Sequence, residues 1–111
     1  MKIQQLINNE LVLGDGPSEK IINPFNSEII IEIPQSSNEQ VELAVQSAKS
    51  AFSAWSRTTP ADRSAMLLKV ADMIEQKAEE IARIESLNCG KPYHLVLNDE
   101  IPGVADVFRF N

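Results

Sequence analysis

The chain has 111 residues, a formal net charge of −6, and a composition that is 43% hydrophobic but only 5% aromatic. That apolar share excludes a disordered tail, and ten scattered basic residues against sixteen acidic ones exclude the basic patch that nucleic acid or an anionic membrane requires. A single cysteine closes no internal disulfide, Met1-Lys2-Ile3-Gln4-Gln5 lacks a signal core, and no run approaches the ~20 apolar residues of a membrane span, so a cytoplasmic protein is expected.

Residues 1–34 read as a β-hairpin region. Gln5-Leu6-Ile7 and Leu11-Val12-Leu13 flank Asn8-Asn9-Glu10, and asparagine tolerates the left-handed backbone of a tight turn. Gly14-Asp15-Gly16-Pro17-Ser18 reads as a loop. Lys20-Ile21-Ile22 and Ile29-Ile30-Ile31-Glu32-Ile33 pair around the turn Asn23-Pro24-Phe25-Asn26-Ser27, and Pro34 ends the last strand.

Residues 35–111 read as helical. Ser37 followed by Gln40 is a capping box, and Val41, Ala44, Val45, Ala48 and Phe52 recur on one helical face. Thr59 caps the next helix, with Pro60 in its first position and Asp62 at the positive end of its dipole. Leu67, Val70, Ala71 and Ile74 make its buried stripe, and Ile81, Ile84 and Leu87 continue the pattern toward a left-handed stop at Gly90, with Pro92 preventing extension. A last helix is expected from Asn98, with Val104, Val107 and Phe108 as its apolar edge. It breaks off without a cap at Asn111, as in the front piece of something larger. Hairpins followed by three to four helices, without β-α-β alternation, make an α+β fragment.

Few residues suggest chemistry. Cys89 is a tempting nucleophile beside Lys91, with His94 five residues on; nothing in the sequence orients the pair, and packing is the preferred reading. One His and one Cys cannot furnish a zinc site. Gly14-Asp15-Gly16 lacks the third glycine and the following helix of a dinucleotide fingerprint. Asp99 and Glu100 read either as complements to a helix dipole or as an anionic patch for a cationic substrate. Glu75, Glu79, Glu80 and Glu85 with Lys77 and Arg83 read as a solvated face.

Taken in order, Leu6-Ile7-Asn8-Asn9-Glu10, Asn23-Pro24-Phe25-Asn26-Ser27-Glu28, the series Val41 to Trp55, Arg63 to Asp72, and Glu85-Ser86-Leu87-Asn88-Cys89-Gly90-Lys91-Pro92 resemble the N-terminus of the NAD(P)-dependent aldehyde dehydrogenase superfamily. Within it, Asn88 to Pro92, Asn98 to Pro102 and Asp106 to Phe110 look most like the bacterial γ-aminobutyraldehyde (1-pyrroline) dehydrogenases, with betaine aldehyde dehydrogenases next. The resemblance implies part of a Rossmann-like NAD domain, truncated before the nucleotide-binding sheet. The parent would be a homotetramer that oxidises an aldehyde substrate with NAD.

The family's catalytic and NAD-contacting residues match no position here, so the chain alone is expected to be inactive, with a complementing C-terminal fragment as a candidate partner. The alternative is a stand-alone interaction or regulatory module. The resemblance also implies a remnant monovalent-cation site at Ile21, Ile22 and Asn88, and ammonium-attracting carboxylates at Asp99 and Glu100. Asn9 stands where the family usually has a turn glycine, Asn88 where some relatives have Asp, and Asn111 where an aromatic residue is expected.

Overall fold

The computed structural model describes residues 3–111. Contacts gather the chain into two compact units. One is Ile31–Arg57 with the residues up to Ile21; the other is Ile22–Ile30 with Thr58–Asn111.

In the first unit, β1 (Gln5–Ile7) and β2 (Glu10–Val12) form an antiparallel hairpin in which Ile7 faces Glu10. That register leaves Asn8 and Asn9 as a two-residue turn, both left-handed with φ of 51° and 65°. Turns of this hand match the twist of the strands they join, and asparagine enters this region more readily than most residues. The hairpin packs on α1 (Asn38–Trp55), on the side carrying Ala44, Ala48 and Ala51, and buries Ile7.

The expected capping box starts α1: the Ser37 hydroxyl accepts from the Gln40 amide, and the Gln40 side chain accepts from the Ser37 amide, both at 3.2 Å. Gln40 also clamps the preceding loop, donating to the Leu13 carbonyl at 2.8 Å and accepting from the Asp15 amide at 3.2 Å. The loop leads into β3 (Ser18–Ile22), which pairs with β4 (Ile29–Pro34), and not into a helix. Gly14 lies against the carbonyls of Pro34 and Gln35, where a Cβ has no room.

The apolar face expected on α1 is present, but it is not a core. Val41, Val45 and Phe52 are exposed, and no residue of the helix is fully buried. Three-residue strands are too short to cover an 18-residue helix.

The second unit contains the turn around Asn23–Ser27, α2 (Pro60–Gln76), α3 (Ala78–Cys89), and a helical run made of α4 (Tyr93–Leu95), a π-helical turn (Val96–Glu100) and α5 (Ile101–Phe110). Thr59 caps α2 as expected, and Asp62, expected only to complement the dipole, closes a capping box with it. The single pattern from Leu67 to Leu87 is broken in two at Lys77, whose backbone turns at φ −105°, ψ 14° and whose amide reaches the carbonyls of Met73 and Ile74 at 3.1 and 3.2 Å. Such a bend lies in a region open to any residue and needs no glycine or proline to mark it.

Around that bend the core forms from Ala82, Val96 and Ile101, with Ile74, Ala78, Ile81, Tyr93 and Leu97 against it. Ala71 on α2 and Ala105 on α5 are also fully buried, and their small side chains let these two extensively packed helices approach closely. Of the stripe expected on α2, Leu67 and Ile74 are half-buried and Val70 is exposed, as are Ile84 and Leu87 on α3.

Asn98 does not cap the last helix. The helical run begins five residues earlier, at Tyr93, and Asn98 lies inside the π-turn. The cause is Pro102, which has no N–H to give the Asn98 carbonyl and whose ring would strike it in a regular α-helix. The ladder widens just before the proline, with the Ile101 amide reaching back five residues to Val96. Among the described residues, no helix is long and apolar enough to cross a membrane.

Candidate functional site

The second unit brings together the two motifs that stand out in the sequence. Gly90 ends α3 in the left-handed conformation, φ 73°, with its amide bonded to the Ser86 carbonyl at 3.0 Å. The Ser86 hydroxyl donates to the Lys91 carbonyl at 2.6 Å, which folds Lys91 back over the helix end. A Cβ on Gly90 would stand 3.0 Å from Cγ of Pro24, so the Asn-Pro turn packs against the Gly-Lys-Pro stop. The turn itself is rigid: the Asn23 side chain accepts from the Phe25 amide at 2.9 Å, and Asn26 does the same for Glu28 at 3.1 Å.

Lys91 is the hub of this corner. Its ammonium lies 2.9 Å from Glu100 on the π-turn and 3.1 Å from Glu85 on α3. The hydrogen bond that Lys91 donates to Glu100, then that to Glu85, raises the Lys91 pKa, while Lys91 first and Cys89 second hold the Glu85 carboxyl below its ordinary range. Between these carboxylates and the walls formed by Ile74, Ile81, Val96, Ile101 and Val104 lies a pocket of about 310 Å³. Reading Glu85 as part of a solvated face missed this role. The available signal was the left-handed cap at Gly90, which turns Lys91 back toward α3.

Asp99 and Glu100, paired in the sequence reading, have different fates. Glu100 is half-buried and held by Lys91, whereas Asp99 is exposed. Neither sits in the first turn of the helical run, because Tyr93–Leu95 precedes them; complementing a helix start is therefore not their role. A second cluster fixes α5 to α2. Arg109 makes a two-pronged contact with Glu75 at 2.6 and 2.9 Å and also reaches Asp72 at 3.5 Å and Asp106 at 3.3 Å. Its hydrogen bonds hold the Glu75 carboxyl below its usual range.

Cys89 is exposed at the end of α3, with Glu85 beside its sulfur and the Asn88 amide 3.8 Å away. His94 does not serve it and meets Tyr93 edge-on, ring centroids 5.5 Å apart. A thiol without an oriented base is not a nucleophile assembly. Ile21 and Ile22 end β3, and Asn88 lies in the last turn of α3. These residues offer neutral donors only, and no cluster of three or more His, Cys, Asp or Glu suited to a metal occurs among the described residues. The described residues also do not fit a dinucleotide: both sheets are two-stranded hairpins, and the Gly14-Asp15-Gly16 loop runs into a strand.

Residues 12–111 match the model of the aldehyde dehydrogenase family. The chain belongs to the aldehyde dehydrogenase family. It is 36% identical over 106 residues to an aldehyde dehydrogenase of Alternaria alternata, covering 94% of this chain and 21% of that protein. It is 42% identical over 97 residues to the 2-aminomuconic semialdehyde dehydrogenase of Danio rerio, covering 85% and 20%. Among solved structures, PnpE in complex with nicotinamide adenine dinucleotide superposes on 99% of this chain and 23% of its own, with a TM-score of 0.93 and 37% identity. This aldehyde dehydrogenase chain thus spans about a fifth of the length of the relatives it matches. Its α+β arrangement of hairpins followed by helices is that of their N-terminal segment.

Proposed function

We propose that this chain is the N-terminal segment of an NAD-dependent aldehyde dehydrogenase that oxidises aminoaldehydes, such as γ-aminobutyraldehyde, to carboxylic acids. The observation that carries the family activity is the likeness along nearly the whole chain to a relative solved with its dinucleotide. The nucleophile and the cofactor contacts belong to the remaining four-fifths of such a protein. What this segment supplies is a rigid corner, the Gly-Lys-Pro stop locked on the Asn-Pro turn, from which the π-turn projects.

The aminoaldehyde preference rests on Asp99. Lys91 neutralises Glu100 and Glu85 and leaves Asp99 as the exposed carboxylate of the π-turn, fit to meet an ammonium group. A charge-assisted contact of this kind contributes about 1.5 kcal/mol, or roughly tenfold in affinity. In a full-length enzyme bearing this segment, Asp99→Asn should raise KM for γ-aminobutyraldehyde about tenfold while kcat and the KM for a neutral aldehyde of similar length hold. Equal losses for the charged and neutral aldehydes would refute the assignment.

A further inference from the structure

The carboxylates of Glu85 and Glu100 already hold an alkylammonium, and it is the chain's own. Lys91 carries its charge on a flexible aliphatic stem, the same group that ends an aminoaldehyde, to 3.1 Å from Glu85 and 2.9 Å from Glu100. The chain reversal puts it there: Gly90 is left-handed, and the Ser86 hydroxyl donates to the Lys91 carbonyl at 2.6 Å. The same two carboxylates line one side of the aliphatic pocket between α2, α3 and the helical run. Asp99, next to Glu100, is exposed, and its carboxylate has no hydrogen bond or ion pair among the described residues.

We infer that Lys91 is a specificity-determining residue: by occupying Glu85 and Glu100 it confines the substrate to one ammonium group, and it rejects aldehydes that carry a second one along their chain. The inference rests on the aminoaldehyde reading above and deepens it from the presence of a charge to the number of charges. A second substrate ammonium finds these carboxylates taken and a like charge beside them. Without Lys91, Glu85 and Glu100 would stand unpaired beside aliphatic walls, close in sequence to Asp99. Such a surface suits methylene groups strung between two ammonium groups.

The test is a series of charged aldehydes read on two variants that break the same bridge. In a full-length enzyme bearing this segment, KM and kcat are measured at low ionic strength. The aldehydes are of similar length and carry one negative charge, none, one positive charge or two. Lys91→Met removes a positive charge from the corner and Glu100→Gln a negative one, so their electrostatic effects have opposite signs. Their structural effects share a sign, because each unties the π-turn from α3 at the same contact.

Lys91→Met should lower KM for the singly positive aldehyde about threefold and for the doubly positive one about tenfold, as Coulomb's law gives across roughly 7 Å of water. Glu100→Gln should raise both by similar factors. The negative aldehyde should move the other way in each variant, while kcat and the KM for the neutral aldehyde hold. Lys91→Arg keeps the charge and should keep the wild-type order, and about 0.5 M salt should flatten all the differences.

Shifts of the same sign in both variants, or shifts shared by the neutral aldehyde, would make Lys91 a structural tie and overturn the proposal. So would an unchanged ratio of singly to doubly positive aldehyde in Lys91→Met. If that variant does not fold, Lys91→Gln, whose amide still donates hydrogen bonds but carries no charge, is held to the same outcomes. Asp99→Asn is read in the same series. Opposite shifts at Lys91 and Glu100 with none at Asp99 would sink the Asp99 assignment alone; an effect at Asp99 with parallel shifts at Lys91 and Glu100 would sink this inference alone.

Discussion

Replacing Gly90 by alanine tests the corner on which the proposed site is built. Two costs combine. An L-residue at φ 73° loses about 1–1.5 kcal/mol relative to glycine. The added methyl also stands 3.0 Å from Cγ of Pro24, tighter than ordinary van der Waals contact, and the exposed Pro24 ring must yield by a few tenths of an ångström; this adds about 0.5 kcal/mol. The sum, about 1.5–2 kcal/mol, corresponds to a drop in Tm of roughly 6–8 °C for a chain of this size. Far-UV circular dichroism melts and urea titrations with an unchanged m value measure it. Adding Pro24→Ala should restore only the smaller, steric part. An unchanged Tm for Gly90→Ala would refute the argument, and full restoration by Pro24→Ala would show that the backbone conformation carries no strain.

Stability should be level across neutral pH and fall at both ends. Arg109 and Lys91 lower the Glu75 and Glu85 pKa values from 4.5, so that contribution is complete above this value and is lost as pH falls through the lowered ones; Glu100 and Glu85 raise Lys91 from 10.5, so its contribution is complete below this value and is lost as pH climbs through the raised one. Arg109→Gln should make the acid fall shallower in melts taken across pH. The isolated chain should produce no NADH from γ-aminobutyraldehyde; turnover above buffer that Cys89→Ser abolishes would show Cys89 to be a nucleophile after all. Potassium should not raise its melting temperature relative to an equal concentration of a bulky organic cation, because Ile21, Ile22 and Asn88 supply dipoles and no charge.

The parts legible in the sequence are those decided within four or five residues. Ser37 with Gln40, Thr59 with Asp62, Asn8 with Asn9, and Gly90 each fix their own backbone, and each does in the fold what its chemistry dictates. The bend at Lys77 escaped because an ordinary residue makes it, and the π-turn because Pro102 acts on a carbonyl four residues earlier without ending the helix. Periodicity identified the apolar face of α1 but carries no information on whether anything covers it. Glu85 and Glu100 could not be told from solvated carboxylates until the chain reversal at Gly90 brought Lys91 between them, and the pairing of Arg109 with Glu75 spans 34 residues that no local pattern connects.

The π-turn also bears on how this stretch can diverge. A π-turn is an α-turn holding one residue too many, so the segment from Val96 to Glu100 is the place in the helical run where chain length, and not only side-chain identity, is negotiable. Dropping one residue there, with Pro102 replaced by a residue that has an N–H, would close the ladder to a regular α-helix while Ala105 kept its seat against α2. An insertion or deletion elsewhere in the run would rotate the face of α5 by about 100°. Descendants of this segment could therefore gain or lose the carboxylate at Asp99 by a change in length, altering the charge of this surface without repacking the helix behind it.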